Sequence, residues 1–344
     1  MKLIKAAAAV LNQTPIDWEG NKKNILDAIQ EAKSQKISIL CLPELCITGY
    51  GCEDAFYSPN VHRVALQILQ EIAPYTKDII VSVGLPILFQ NKIFNTACML
   101  ADGKIMGFTA KQFLAGDGVY YEPRWFKPWI AGEIAQIEID GDFYPLGDIY
   151  FDVGGVKIGF EICEDAWVAN RPGRFLFEYG IDIILNPSAS NFAFDKVNIR
   201  KRFVLEGSRS FGVGYLYSNI LGNDSGRLVF DGSCLIASEG KLIAEGKRFS
   251  FANYEITSAY IDVDANRLSQ IQSNVPFKKP ADIEQCVFLD FEFPEIPPQQ
   301  NSYSIPEWEN SPFIKEEEFS RALALALFDY LRKSYSRGFV ISLS

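Results

Sequence analysis

The sequence predicts an α/β protein in which helices lie over two β-sheets, and three observations predict it. Short continuous apolar runs alternate with amphipathic segments along the first half, the pattern of buried strands packed under helices. Turn pairs such as Asp102-Gly103, Gly154-Gly155 and Glu239-Gly240 then separate apolar runs at hairpin spacing. Finally, 48% of the 344 residues are hydrophobic and 22% charged, which supports a large core and rules out disorder over most of the chain. That length allows two domains or one large one.

Taken in order, residues 3–11 read as a first strand. The apolar stretch is too short for a secretion signal, because Asn12-Gln13 follow at once. Residues 21–33 carry Ile25, Ile29 and Ala32 at helical spacing. Residues 37–42 form a buried strand that stops at Pro43, with Glu44 next. A helix over 62–73 and a strand over 79–88 follow. Residues 96–100 and 104–109 make one hairpin, and 150–153 with 156–162 make another. Residues 175–179 end a helix that Gly180 is suited to stop. A strand over 181–185, a helix over 195–210 and a strand over 213–219 precede two hairpins, turning near Asp224–Gly226 and Glu239-Gly240.

One core is expected to run to about residue 290, giving a first domain over 1–293. Pro294, Pro297, Pro298, Pro306 and Pro312 with polar spacers mark 294–312 as a linker. Residues 313–344 then read as a new helix and a first strand. The helix, over 315–334, sets Phe319, Leu323, Ala326, Leu327, Tyr330 and Leu331 on one face expected to be buried. After Gly338, residues 339–344 read as the start of a buried strand inside which the chain stops, as a protein cut short would.

Several function classes drop out. The net charge is −10, from 33 Lys+Arg and 43 Asp+Glu, and no basic run exceeds pairs such as Lys201-Arg202 and Lys278-Lys279. Nucleic acid, which needs clustered positive charge, is not an expected partner. No apolar run reaches the ~18–20 residues that cross a bilayer, so no membrane is expected either. Seven cysteines, an odd number set mostly in apolar segments without a Cys-x-x-Cys spacing, fit reduced thiols in a cytoplasm. The single histidine, His62, disfavours Ser-His-Asp and Cys-His chemistry and a His-rich metal site, so no metal is expected. An enzyme built on this chain would draw its base from a carboxylate or a lysine.

Three polar residues stand at the ends of apolar strands: Glu44, Lys111 and Cys163. Functional groups in α/β folds gather at such ends. A cysteine nucleophile must lose its proton, and a carboxylate whose pKa burial has raised can take it. A lysine can stabilise the oxyanion that forms on an attacked carbonyl. Each residue also has a structural alternative: a buried ion pair, a solvated strand end, a small core side chain. The string Cys163-Glu164-Asp165-Ala166-Trp167, with two acids directly after an apolar strand, makes poor core and a plausible pocket.

These segments resemble the Glu-Lys-Cys centre of the nitrilase, or carbon–nitrogen hydrolase, superfamily. Within it, Pro43-Glu44-Leu45 through Thr48-Gly49-Tyr50, Ile162 to Trp167, and Asn186 to Phe192 resemble the glutaminase domains of glutamine-dependent NAD synthetases. The likeness covers about residues 3–265, and the 67 residues from Glu44 to Lys111 and 52 from Lys111 to Cys163 fit the family. The resemblance implies a four-layer α/β/β/α sandwich that hydrolyses glutamine through a thioester. Glu44 would be the base, Cys163 the nucleophile, and Lys111 the oxyanion stabiliser, helped by the backbone N–H of Glu164. Glu122 would be a supporting acid, and Tyr50, Glu164, Trp167 and Ser190 would line the glutamine pocket. Where the family carries a tyrosine after the lysine, this chain has Asp117, which either makes a different contact to the amino group or faces solvent.

By the same resemblance, residues 339–344 match the strand before a pyrophosphate-binding loop, with Ser344 its first serine. The glutaminase half would need no cofactor, whereas ATP and Mg would serve a synthetase domain mostly missing here, which would consume the ammonia. A homo-oligomer is expected from the family. Two alternatives stand beside this reading: a stand-alone amidase acting on another carboxamide, and a non-catalytic scaffold.

Overall fold

A computed structural model describes residues 1–224, 226–273 and 285–343. Two sheets stand face to face. The first has eight strands in the order Tyr254–Asp262, Leu3–Leu11, Ile39–Cys41, Ile80–Phe89, Lys92–Ala101, Lys104–Ala110, Asp142–Gly147, Ile134–Ile139. The second has seven, in the order Lys241–Glu245, Cys234–Ser238, Gly214–Asn219, Ile183–Ser188, Val156–Phe160, Tyr150–Val153, Cys286–Leu289. The helices are α1 (Trp18–Ser34), α2 (Pro59–Ile72), α3 (Glu122–Trp125), α4 (Gly173–Glu178), α5 (Lys196–Phe211), α6 (Val263–Ile271) and α7 (Ile314–Lys333).

Strand Leu3–Leu11 shows why the layers form. Ile4, Ala6, Ala8 and Val10 point between the sheets, against Ile158, Phe160, Ile183 and Leu185. Ala7, Ala9 and Leu11 point the other way, against Ile25, Ala28, Ile29 and Ala32 of α1 and Ala65, Ile68, Leu69 and Ile72 of α2. Both faces are covered, so the strand reads as one apolar run rather than an alternation. On the far side, Leu176 of α4 and Val204 of α5 pack with Ile184, Tyr215 and Leu235 of the second sheet. The result is the four-layer α/β/β/α sandwich. The side chain of Asp17 caps α1 by accepting from the Gly20 N–H at 3.1 Å.

Some elements were not legible in the sequence. Strands Ile134–Ile139, Asp142–Gly147 and Tyr254–Asp262, helix α6 and strand Cys286–Leu289 all extend the sandwich. Tyr254–Asp262 runs antiparallel to Leu3–Leu11 over its whole length and closes that edge.

The C-terminal segment corrects two expectations. Helix α7 does not bury the expected face: Phe319, Leu323, Leu327 and Tyr330 are 54%, 47%, 50% and 52% exposed. It docks on the sandwich through Glu318, Ala322, Leu325 and Asp329 instead. Its two acids are satisfied by partners that hydropathy does not register. Glu318 accepts from Arg248 at 2.7 Å, while Asp329 accepts from the Asn12 amide at 2.9 Å and the Asn223 N–H at 2.8 Å. Residues 339–343, expected as a buried strand, form no ladder and are exposed, because no strand of the described chain pairs with them. Ser344 and Lys278-Lys279 lie outside the described residues. So does residue 225, in the turn expected near Asp224–Gly226; its flanking strands Leu221–Asp224 and Leu228–Asp231 pair as a hairpin.

The proline-rich stretch lies against the sandwich. Asn301 takes both backbone groups of Tyr260, at 2.7 and 2.8 Å. Trp308 stacks 5.0 Å from the Arg248 guanidinium, and Arg248 also binds Glu309 at 2.5 and 3.0 Å. A buried run of charges continues inward, from Arg248 to Asp231 at 3.6 Å and from Asp231 to Arg200 at 2.7 Å.

Candidate active site

Glu44 and Lys111 come from the first sheet and Cys163 from the second. Glu44 lies in the turn that follows Ile39–Cys41. That turn presses so closely on strand Ile80–Phe89 that a Cβ at Gly84 would sit 2.3 Å from the Leu45 nitrogen and 2.8 Å from the Pro43 oxygen. Lys111 is the first residue beyond strand Lys104–Ala110, and its N–H donates to the Asn95 carbonyl at 2.9 Å. Cys163 opens a single 3₁₀ turn, Cys163–Ala166, with φ +47°. A left-handed backbone at a non-glycine residue is strained, and such strain concentrates at functional sites.

The side chains of Glu44, Lys111 and Glu122 meet in a buried cluster. The Lys111 ammonium donates to Glu44 Oε1 at 2.6 Å and to both oxygens of Glu122 at 2.8 Å. Asn95 donates to the same Glu44 oxygen at 2.7 Å. Glu122 Oε1 also accepts from Tyr50 at 2.7 Å, and Oε2 from the Ala115 N–H at 3.1 Å. Glu44 Oε2 is buried and takes no hydrogen bond among the described residues. It is the oxygen left able to receive a proton.

The electrostatics divide the roles. Burial, seconded by Glu122 and opposed by Lys111, pushes the Glu44 carboxyl up to about 7. Burial pulls Lys111 down, yet Glu122 and Glu44 outweigh it and hold the ammonium well above its ordinary range. The Cys163 thiol is pushed far up, first by burial, then by Glu44 and Glu122; Lys111 and a backbone hydrogen bond with Ala189 pull the other way. The resting cysteine is therefore a thiol, and a carboxylate poised near neutrality lies within electrostatic reach of it. A permanent cation beside them can meet a developing oxyanion. This arrangement suits acyl transfer to sulfur.

The other expected site residues separate. Tyr50 reaches the cluster as a donor to Glu122, not only as a wall. Trp167 is half-buried, stacked 5.1 Å from Phe203 with Lys196 5.7 Å above its ring. Glu164 is half-buried; burial raises its pKa first, while Lys111 and Lys196 draw it down. Ser190 is buried, and its hydroxyl accepts from Arg200 at 3.1 Å, so it belongs to the frame of its loop. Asp117 is exposed, its carboxylate accepts from the Gly118 N–H at 3.2 Å, and it stays outside the buried cluster.

Four residues near these were missed. Asn95 orients Glu44. Asp165 binds the backbone on both sides of the site, accepting from Gln112 and Phe113 at 3.1 and 2.8 Å and from Ile162 at 2.9 Å. Tyr120 packs edge-on to Tyr50 at 6.4 Å, and its hydroxyl contacts Asn191 at 2.6 Å. Lys196 donates to Asn191 at 2.5 Å and lies 5.3 Å over the Tyr120 ring; burial and Arg200 lower its pKa to about 8. Tyr120 stands three residues beyond Asp117, so an aromatic shifted along the loop was the available signal. Lys196 carried none beyond its place at the start of a helix.

Comparison with known proteins identifies the family and the fold. The carbon-nitrogen hydrolase family model matches residues 5–270. The human glutamine-dependent NAD(+) synthetase is 33% identical over 356 residues, covering 99% of this chain and 50% of that protein. That of Dictyostelium discoideum is 31% identical over 365 residues, covering 100% and 50%. The chain thus spans about half the length of the curated relatives it matches. A crystal structure of a glutamine-dependent NAD(+) synthetase from Cytophaga hutchinsonii superposes with TM-score 0.81 at 42% identity, covering all of this chain and 49% of that one. An amidase from Nesterenkonia sp., 20% identical, shares the fold with TM-score 0.61 over 77% of this chain and 92% of its own.

Proposed function

The chain belongs to the carbon-nitrogen hydrolase family, and from that membership we propose that it is the glutamine amidohydrolase half of a glutamine-dependent NAD synthetase. The observation that carries the reading is the buried Glu44–Lys111–Glu122 cluster set beside a strained cysteine turn. Glu44 takes the thiol proton as Sγ attacks the side-chain amide carbon of glutamine. Lys111 and the Glu164 N–H hold the oxyanion. Glu44 returns the proton to the amide nitrogen, the C–N bond breaks, and ammonia leaves a thioester on Cys163. Glu44 then takes a proton from water, whose oxygen attacks the thioester; glutamate departs and the thiol regains its proton.

At the pocket mouth, Glu164 would meet the substrate ammonium and Lys196 its carboxylate, with Tyr50, Tyr120 and Trp167 forming the walls. Ammonia released here would be used to amidate nicotinate adenine dinucleotide in a synthetase domain that takes ATP and Mg, reached through residues 294–312 and beginning with the segment 313–344. The same proposal includes a homo-oligomer in the cytoplasm; among the described residues no helix is long and apolar enough to cross a membrane.

Turnover with glutamine against simple aliphatic amides tests this. A site that pairs both charged ends of glutamine should favour it in kcat/KM by about 10²-fold or more, since unpaired buried polar groups penalise substrates that lack them. A preference for the aliphatic amides would point to an amidase of another specificity, and no turnover of either would point to a scaffold.

A further inference from the structure

The Glu44–Lys111–Cys163 set has a geometric problem to solve. Its base and cation hang from one sheet and its nucleophile from the other. Between the layers lie apolar packing, which is not directional, and hydrogen bonds such as Ser218 to the Ala9 carbonyl at 2.6 Å and Thr109 to the Ile149 carbonyl at 3.2 Å, none of which holds the cysteine turn itself. Asp165 stands where the two meet. The residue is 2% exposed. Its carboxylate splits its work: Oδ2 accepts from the Ile162 N–H at 2.9 Å and closes the cysteine turn on itself. Oδ1 leaves that turn and accepts from the N–H groups of Gln112 and Phe113, at 3.1 and 2.8 Å, the two residues after Lys111. Each oxygen therefore grips the backbone next to one catalytic residue. Burial pushes the Asp165 carboxyl up to about 8, against the pull of Lys111 and of the N–H groups that bind it. All three hydrogen-bond partners are donors, and that geometry suits the carboxylate form, in which both oxygens accept.

We infer that Asp165 is a positioning residue, whose carboxylate clamps the cysteine turn to the lysine strand end and so sets the separation at which Cys163 and Lys111 act on one carbonyl. It touches neither substrate nor the reacting atoms. The inference rests on the reading of Glu44, Lys111 and Cys163 as the catalytic set. A turn cap alone would need only the Ile162 contact; the two contacts to 112 and 113 are what a clamp adds.

The test is D165N in the full chain. The amide keeps the shape but offers one acceptor where two are needed, so one side of the clamp must open. A displacement of about 1 Å between reacting groups costs on the order of 10² in rate. We expect kcat per folded molecule to fall by about that factor with KM for glutamine near the wild-type value, and iodoacetamide alkylation of Cys163, mapped by peptide mass, to slow in parallel. Unchanged kcat and alkylation in folded D165N overturn the inference and leave the glutaminase reading intact. If the wild type releases no ammonia from glutamine, that reading fails, and the alkylation rate, which needs no substrate, decides for Asp165 alone: slowed supports the clamp, unchanged overturns it. Should D165N not fold, amide hydrogen exchange in the wild type decides. Gln112 and Phe113 should exchange as slowly as the central strands, and rapid exchange there would contradict a clamp.

Discussion

On the proposed mechanism Glu44 carries both proton transfers, and its environment sets the pH at which it can act as base. Burial raises its pKa to about 7, so the carboxylate needed as base is lost as pH falls through neutrality. Lys196, brought down to about 8 by burial and Arg200, loses its charge as pH rises past that value, and on the proposed reading loses with it the grip on a substrate carboxylate. The expected kcat/KM profile for glutamine is a narrow bell rising near pH 7 and falling near pH 8. An acid limb near the ordinary carboxylate value of ~4.3 would mean that Glu44 is not the titrating base. At this scale the sequence was informative where strand ends announced polar residues: Glu44, Lys111 and Cys163 all follow apolar runs. Asp165 stood out only as one of two acids after an apolar strand and Asn95 not at all, because their roles are contacts to groups far along the chain, 53 residues from Gln112 and 51 from Glu44. Nothing local distinguishes such an acid from a solvated one.

Elements explain how these residues are aimed. The Glu44 turn lies on Gly84, where a methyl group would overlap backbone that has no freedom to swing aside. Gly84→Ala should therefore displace the turn, destabilise the fold by about 1–3 kcal/mol and lower kcat more than it raises KM. Thermal unfolding with steady-state kinetics measures both, and a variant with wild-type stability and turnover would refute the close approach. Hairpins with a glycine-containing turn were legible, because Asp102-Gly103 and Gly154-Gly155 supply the positive φ that such turns require. The hairpin turning at Gln90-Asn91 was not, although both residues are left-handed at φ +48° and +58°. Helix α7 was legible as a helix and misread as to its face. Helical periodicity locates an apolar stripe, but the stripe that docks is chosen by partners, here Arg248 for Glu318 and Asn12 for Asp329.

Across the whole molecule, the sandwich brings two strand ends of the first sheet and one of the second to a common point and places the candidate chemistry between them. The same body ties the C-terminal segment to the pocket side. Glu318 and Glu309 hold Arg248, Arg248 faces Asp231, Asp231 holds Arg200, and Arg200 binds the Ser190 and Asn191 carbonyls at 2.8 Å. Burying five charges is costly unless each is paired, and here each is. The layers and the first-sheet helices could be read from apolar runs. The edge strand Tyr254–Asp262 could not, since half-buried positions with Glu255, Thr257 and Ser258 carry too weak an apolar pattern to stand out. On the proposed mechanism, Cys163 attacks glutamine with Glu44 as its base. Acid-quenched peptide mass spectrometry during turnover reads it directly. One glutamyl thioester is expected on the peptide carrying Cys163 in the wild type, absent in Cys163→Ala and strongly reduced in Glu44→Gln. Ammonia release at the wild-type rate by Cys163→Ala, with no acyl group on that peptide in the wild type, would contradict it.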